Sequence, residues 1–251
     1  AIKEATLFGE LIEVASSKDQ NFTYIPKGYQ ISSDVDYFHC TSNNTIFGTQ
    51  MKEFPEFNGM TICDMSSDIF SRQLDFSKFD IIYAGTQKNM GPAGTTLIVI
   101  KEDTLSKVQR EVPSMLSYKI HLDKDSMFNT PSVFAVYVSM LTLEWLKDLG
   151  GIPFIEKVNN KKAALLYNEI DRNTLFKGVV AKEDRSTMNA TFILTNNQLK
   201  ETFDKMCLEA GISGINGHRS VGGYRASMYN ALPLYSVQAL VDVMQELERK
   251  Q

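Results

Sequence analysis

Ile81-Ile82-Tyr83-Ala84-Gly85-Thr86-Gln87-Lys88-Asn89-Met90-Gly91-Pro92-Ala93-Gly94 is the stretch from which the rest of the chain is read. Ile81 to Ala84 form a short apolar run of the kind that makes a buried strand. The chain then breaks into a polar turn rich in Gly and Pro, and Thr95 to Ile100 follow at once as a second strand. Lys88 is therefore expected in a loop between two strands that read as central. Gly91 and Gly94 allow the close turns that bring backbone near a ligand. A loop lysine is most often a solvated charge, but an ammonium at the lip of a sheet can also capture the carbonyl of a substrate or cofactor.

Asp64 gives the second reading weight. It closes another apolar strand, Met60-Thr61-Ile62-Cys63, after which the chain turns polar at Ser66, Ser67 and Asp68. Ligands of open α/β sheets bind beyond the carboxyl ends of the strands. A lysine for an aldehyde and an acid for a pyridinium nitrogen are the two partners that pyridoxal phosphate requires. The plain alternative for Asp64 is the N-cap of a following helix.

Four segments carry a resemblance. Gly85 to Gly94, His39-Cys40-Thr41-Ser42-Asn43-Asn44-Thr45-Ile46-Phe47-Gly48, Ser126-Met127-Phe128-Asn129-Thr130-Pro131 and Gly217-His218-Arg219-Ser220-Val221-Gly222-Gly223-Tyr224-Arg225-Ala226-Ser227 resemble, in order, the phosphoserine aminotransferase family of class V, fold type I. The resemblance runs over essentially the whole chain. It implies an aspartate-aminotransferase-like α/β fold and pyridoxal 5'-phosphate as cofactor. It implies transamination between glutamate and 3-phosphohydroxypyruvate, giving O-phospho-L-serine and 2-oxoglutarate in serine biosynthesis. Lys88 would then bind the cofactor aldehyde and act as general base, with Asp64 on the ring nitrogen. Thr45 would meet the ring hydroxyl and Gln87 the cofactor phosphate. Asn129 and Thr130 would hold the phosphate of a neighbouring subunit, making an obligate homodimer with a shared site. His218 and Arg219 would take the substrate phosphate, and Arg225 its α-carboxylate. Asn44 stands where the family usually has an acid.

Bulk composition agrees with an enzyme of this kind. The 251 residues are 43% hydrophobic and 22% charged, an ordinary globular composition, with net charge −4 and so no basic footprint for nucleic acid. No apolar run approaches the ~20 residues of a membrane span. Cys40, Cys63 and Cys207 are odd in number and widely separated, which argues for a reducing, cytoplasmic setting and against a disulfide framework or a metal site.

Along the chain, Ala1 to Ala15 reads as a helix with Leu7, Phe8, Leu11 and Ile12 on one face. A chain opening inside a helix is expected to lack part of the N-terminal half. The aromatic residue that stacks on the ring in the family, and its first phosphate loop, are not found. The chain alone is therefore expected to leave the site incomplete and inactive, with the missing part on a separate chain or absent. Residues 18 to 34 read as loop, Asp36 to His39 as strand, Thr41 to Asn44 as turn, and Ser66 to Phe79 as a partly helical connection. Glu102 to Val112 reads as an amphipathic helix, and Ser117 to Asp125 as a polar loop around His121. Thr130 and Pro131 are expected to open a long helix whose apolar face is Phe134, Tyr137, Val138, Leu141, Trp145 and Leu149, with Trp145 in the core.

Gly150-Gly151 is the expected boundary between the remainder of a large cofactor-binding domain (1–151) and a small α/β domain (152–251). The second unit reads as helix Ile152 to Asp171, strand Ala190 to Leu194, helix Gln198 to Ala210, a strand within Tyr224 to Tyr229, and helix Ser236 to Arg249. Two further functions stay open on sequence. One is a related enzyme of non-phosphorylated substrates, such as an alanine–glyoxylate aminotransferase or, less favoured for want of an exposed loop cysteine, a cysteine desulfurase. The other is a non-catalytic piece that packs on a partner chain.

Overall fold

The computed structural model describes residues 1–219 and 221–251; Ser220, within the quoted basic segment, lies outside them. The chain opens with the single helical turn α1 (Ile2–Ala5) and runs as a loop to β1 (Tyr37–Thr41). The expected fifteen-residue helix does not form: Leu7, Phe8 and Ile12 lie exposed, and an apolar stripe with nothing packed on it contributes no burial energy to a helix. The hairpin of β2 (Asn43–Asn44) and β3 (Thr49–Gln50) follows, then β4 (Met60–Asp64), β5 (Ile81–Gly85) and β6 (Thr96–Ile100).

Strands β1, β4 and β5 are parallel neighbours, and β6 returns antiparallel beside β5. The lysine thus lies in a hairpin loop, and β6 is an edge strand rather than a central one, with Val99 46% exposed. In register, Thr41 sits beside Asp64 and Asp64 beside Tyr83. Strand alternation then sends Phe38, Cys40, Cys63, Ile82 and Ala84 into one apolar cluster, with Met65, Ile69 and Met90. His39, Ile62, Asp64, Ile81 and Tyr83 share the opposite, half-buried face.

Short helices α2 (Glu102–Leu105) and α3 (Tyr118–Asp123) come next. Helix α2 covers a third of the expected length, and α3 stands where a loop was expected, its start capped by the Ser117 hydroxyl accepting from Ile120 N–H. His121 packs against Phe128 with ring centroids 5.8 Å apart. Helix α4 (Val133–Asp148) begins after Ser132, two residues later than the Thr130 cap implied, and Ser132 makes no capping side-chain bond. The face that α4 buries is Ala135, Ser139 and Leu146. The stripe expected in the core is largely outside, with Phe134 71%, Tyr137 55% and Trp145 38% exposed.

Gly150 turns the chain at φ 107°, and helix α5 (Gly151–Arg172) starts immediately. Then come β7 (Phe176–Gly178), β8 (Asn189–Leu194), α6 (Lys200–Glu209), β9 (Tyr224–Ser227) and α7 (Leu234–Arg249). Strands β7, β8 and β9 form an antiparallel sheet, with α5, α6 and α7 completing this α/β half. Its core is closed on itself: Leu166 and Ile170 of α5, Phe192 of β8, Phe203 of α6, and Val237, Met244 and Leu247 of α7.

A seam of buried asparagines joins the two halves. Asn43 donates to Ser67 Oγ (2.8 Å) and to Asn189 Oδ1 (2.9 Å). Asn159 donates to the Ser71 carbonyl and to Asn230 Oδ1, both at 2.9 Å. Asn230 N–H donates to Asn89 Oδ1 (3.0 Å), and the Asn89 amide donates to the Ile69 carbonyl (3.1 Å). Paired amides of this kind fix one arrangement, because an unpaired buried polar group costs roughly 1–3 kcal/mol. Asn159 Oδ1 alone among these side-chain amides has no partner among the described residues. Beneath the seam, Lys162 is wholly buried and spends its three N–H donors on the carbonyls of Met228, Tyr229 and Leu232.

Candidate active site

Lys88 is held in a loop that closes on itself. Thr86 accepts from the Met90 and Gly91 amides at 3.1 and 2.8 Å, and its own amide donates to the Thr95 carbonyl at 3.2 Å. Buried Asn89 anchors the loop from below through the seam, and Gly91 passes so near α4 that a Cβ there would meet Ser139 Oγ at 2.8 Å. From this loop the Lys88 ammonium donates to the Thr45 hydroxyl at 3.1 Å. Two residues 43 positions apart, Thr45 expected at the site only by resemblance, thus share a hydrogen bond.

Thr45 is carried by the β2–β3 hairpin, whose turn is built by its own side chains. Asn44 Oδ1 accepts from the amides of Ile46 and Phe47 at 3.1 and 3.2 Å. An amide oxygen does here what a carboxylate could do, so the Asn44 departure leaves the turn intact. Gly48, at φ 82°, lets the turn press on β8, where a Cβ would meet Thr191 Oγ1 at 2.7 Å. Thr191 in return donates to the Phe47 carbonyl at 2.8 Å.

Asp64 ends β4 at the same lip of the sheet. Its Oδ1 accepts from Ser66 N–H at 2.8 Å, the local cap expected of an Asp, but a turn rather than a helix follows. Across the register stands Tyr83, whose hydroxyl lies 2.9 Å from His39 Nε2. Burial, the charge of Asp64 and a hydrogen bond to Asp64 push the Tyr83 hydroxyl above its ordinary value, so it stays protonated. Burial pushes His39 below the usual imidazole value, with Asp64 opposing. Sequence reading placed Tyr83 in an apolar run and His39 at a strand end. Counting back in steps of two from Asp64 and across to its strand neighbours was the signal available for both.

The remaining expected residues are more dispersed. Gln87 is exposed, its amide folded over Gly85, where a Cβ would meet Oε1 at 2.6 Å. Asn129 and Thr130 are exposed ahead of α4, and the Asn129 amide donates to the Thr130 carbonyl at 3.2 Å. His218 and Arg219 are exposed in the loop before β9, where the His218 carbonyl accepts from the Val221 and Gly222 amides. Arg225, on β9, pairs in register with Thr191, next to the Thr45 hairpin. Among the described residues its buried Nε has no hydrogen-bond partner, so that side chain retains a donor for an incoming anion. No described group of His, Cys, Asp or Glu could hold a metal ion, and no described helix is long and apolar enough to cross a membrane. The three cysteines are free and buried.

A primary amine, an acid at the adjacent strand end and a hydroxyl on the amine suit pyridoxal phosphate. The glycine at position 85 leaves room for the Gln87 amide beside them. Residues 9–240 match the model of the family Aminotransferase class-V, the pyridoxal-phosphate-dependent transaminases that this fold and site define. The phosphoserine aminotransferase of Flavobacterium psychrophilum is 69% identical over 250 residues, covering 100% of this chain and 70% of that protein. The solved phosphoserine aminotransferase from Bacillus circulans subsp. alkalophilus superposes with a TM-score of 0.95 at 41% identity, over 99% of this chain and 70% of that one. The cofactor-bound enzyme of Trichomonas vaginalis gives 0.90 at 32% identity, over 97% of this chain and 70% of that one. The chain belongs to the phosphoserine aminotransferases.

Proposed function

We propose that this chain bears the chemistry of a transaminase exchanging an amino group between glutamate and 3-phosphohydroxypyruvate, with O-phospho-L-serine and 2-oxoglutarate as products, in serine biosynthesis. The observation that carries the reading is the Lys88–Thr45 hydrogen bond at the end of a strand whose neighbour ends in Asp64. Pyridoxal phosphate, when bound, supplies an electron sink for the substrate α-carbon. Lys88 would hold its aldehyde and serve as the base for the α-proton. Asp64 would hold the ring nitrogen and Thr45 the ring hydroxyl. Gln87 orients the phosphate, to which Asn129 and Thr130 contribute from a neighbouring subunit in a homodimer. The exposed apolar face of α4 supports that second chain, since large side chains such as Phe134 and Tyr137 are seldom left in water together.

Substrate choice is assigned to the half that bears β9. Arg225, with its spare buried Nε, takes the α-carboxylate, while His218 and Arg219 take the phosphate. Residues 1–151 are the remainder of a large cofactor-binding domain and 152–251 a small C-terminal domain, a division supported by their two separate apolar clusters. The free, buried cysteines suit a cytoplasmic setting.

A pair of variants tests the assignment. A hydrogen bond to a charged group is worth roughly 1.5–3 kcal/mol, one to two decades in affinity. Arg219→Ala in the holoenzyme is expected to lower kcat/KM for phosphoserine at least roughly tenfold while sparing alanine. Arg225→Ala is expected to lower both. Equal losses in Arg219→Ala would remove the phosphate from this loop and favour a class V enzyme of non-phosphorylated substrates.

A further inference from the structure

Asp64 is read above as the partner of the cofactor ring nitrogen, and what stands behind it on the sheet is unassigned. The half-buried face of β1, β4 and β5 carries His39, Asp64 and Tyr83 across three adjacent strands. One contact there is defined by distance: His39 Nε2 and the Tyr83 hydroxyl are 2.9 Å apart, with the rings stacked at 5.9 Å. A hydroxyl has one proton to give. If Tyr83 gave it to His39, the carboxylate beside it would face only oxygen lone pairs. If His39 donates from Nε2, the Tyr83 proton is free for the carboxylate, and both groups are satisfied. The second arrangement leaves no like poles opposed on this half-buried face.

We propose that His39 and Tyr83 are positioning residues for Asp64, linked as a one-way chain in which His39 Nε2–H donates to the Tyr83 oxygen and the Tyr83 O–H donates to the Asp64 carboxylate. With Ser66 N–H already on Oδ1, the carboxylate is gripped from two directions. The carboxylate keeps lone pairs for a further donor. The chain also dictates the resting tautomer of His39, since a neutral ring that donates from Nε2 must leave Nδ1 bare.

This inference rests on the assignment of Asp64 to the ring nitrogen, and the experiment separates the two. Long-range nitrogen–proton correlation spectra of the apoprotein at about pH 8 report the tautomer without cofactor or turnover. The Nε2–H form is expected; an Nδ1–H form with Nε2 accepting would overturn the chain. In the holoenzyme, Tyr83→Phe is expected to lower kcat about tenfold with KM for phosphoserine unchanged. In an Asp64→Asn background the same change is expected to add nothing. His39→Gln, whose terminal amide can still donate, should retain most of the kcat that His39→Leu loses. Additive losses in the double variant would reduce Tyr83 to a packing residue and refute the proposal. Native turnover in Asp64→Asn would instead sink the reading of Asp64. A slow Asp64→Asn beside a native-rate Tyr83→Phe would sink the chain alone.

Discussion

Helices α4 and α7 have the same length, sixteen residues each, and opposite fates. Helix α7 buries Val237, Leu240, Val241, Val243, Met244 and Leu247 in a core made wholly within its own half. Helix α4 buries only Ala135, Ser139 and Leu146 and leaves Phe134, Tyr137, Met140 and Leu141 exposed. Both sequences repeat apolar residues at three and four positions, and the repeat says only that a face is meant for burial. It does not say against what. The half that closes on itself is the one whose sheet is wholly antiparallel, and it does not bear Lys88. The half that bears Lys88, Thr45 and Asp64 buries one face of its sheet and keeps the other partly open. Stability and chemistry are thus assigned to different regions, and the seam lets one hold the other.

The largest effect that could break this division concerns Lys88. Lys88→Ala is expected to abolish turnover while the thermal midpoint stays within a few degrees of the parent, because the side chain is half-exposed and its one hydrogen bond is to Thr45. A collapse of the midpoint in calorimetry would mean that the loop carries structural weight after all. Next in size is a matched pair. Leu166→Ala, at a position 0% exposed, is expected to cost about 2–5 kcal/mol in denaturant unfolding at any protein concentration. Phe134→Ala on α4 should cost little by itself, and its loss should grow on dilution, as befits a side chain covered by a second chain. Equal, concentration-independent losses would erase the contrast between the helices.

The smallest effect is read from pH. Burial pushes the Lys162 ammonium down to about 8 from its ordinary 10.5. Its folded value is lowered, so between these limits the unfolded chain binds the more protons, and stability rises with pH across that window. The slope is at most about 1.4 kcal/mol per pH unit. Below the window both states are charged and the slope vanishes. Lys162→Met should lose the rise, though it also strands three carbonyls and lowers stability throughout. Parallel curves for parent and variant would place the titration elsewhere.

Much of the site was legible because strands β4 and β5 are short apolar runs with sharp polar ends, which fixed where Asp64 and Lys88 had to emerge. The Thr45 contact was legible only by resemblance, since it depends on a two-residue hairpin reaching across the lip. Three readings failed for one reason: Leu7 with Phe8, Val99 on β6, and Trp145 on α4 were apolar and were taken as interior, yet each is exposed. Local pattern reports affinity for an apolar partner, and these partners are not other parts of the described chain. The β7 strand went unseen because three residues ending in glycine carry no periodicity. The start of α4 shifted because Pro131 fits a first helical turn and an extended lead-in equally well.

The asparagine seam has a consequence for motion. Swinging one half away from the other would pull Asn43 off Asn189, Asn159 off the Ser71 carbonyl and Asn230 off Asn89, bonds that water would have to replace all at once. Such a step belongs to slow, rare openings rather than to the rhythm of turnover. The loop ahead of β9, where His218 and Arg219 are exposed, supplies none of these seam bonds.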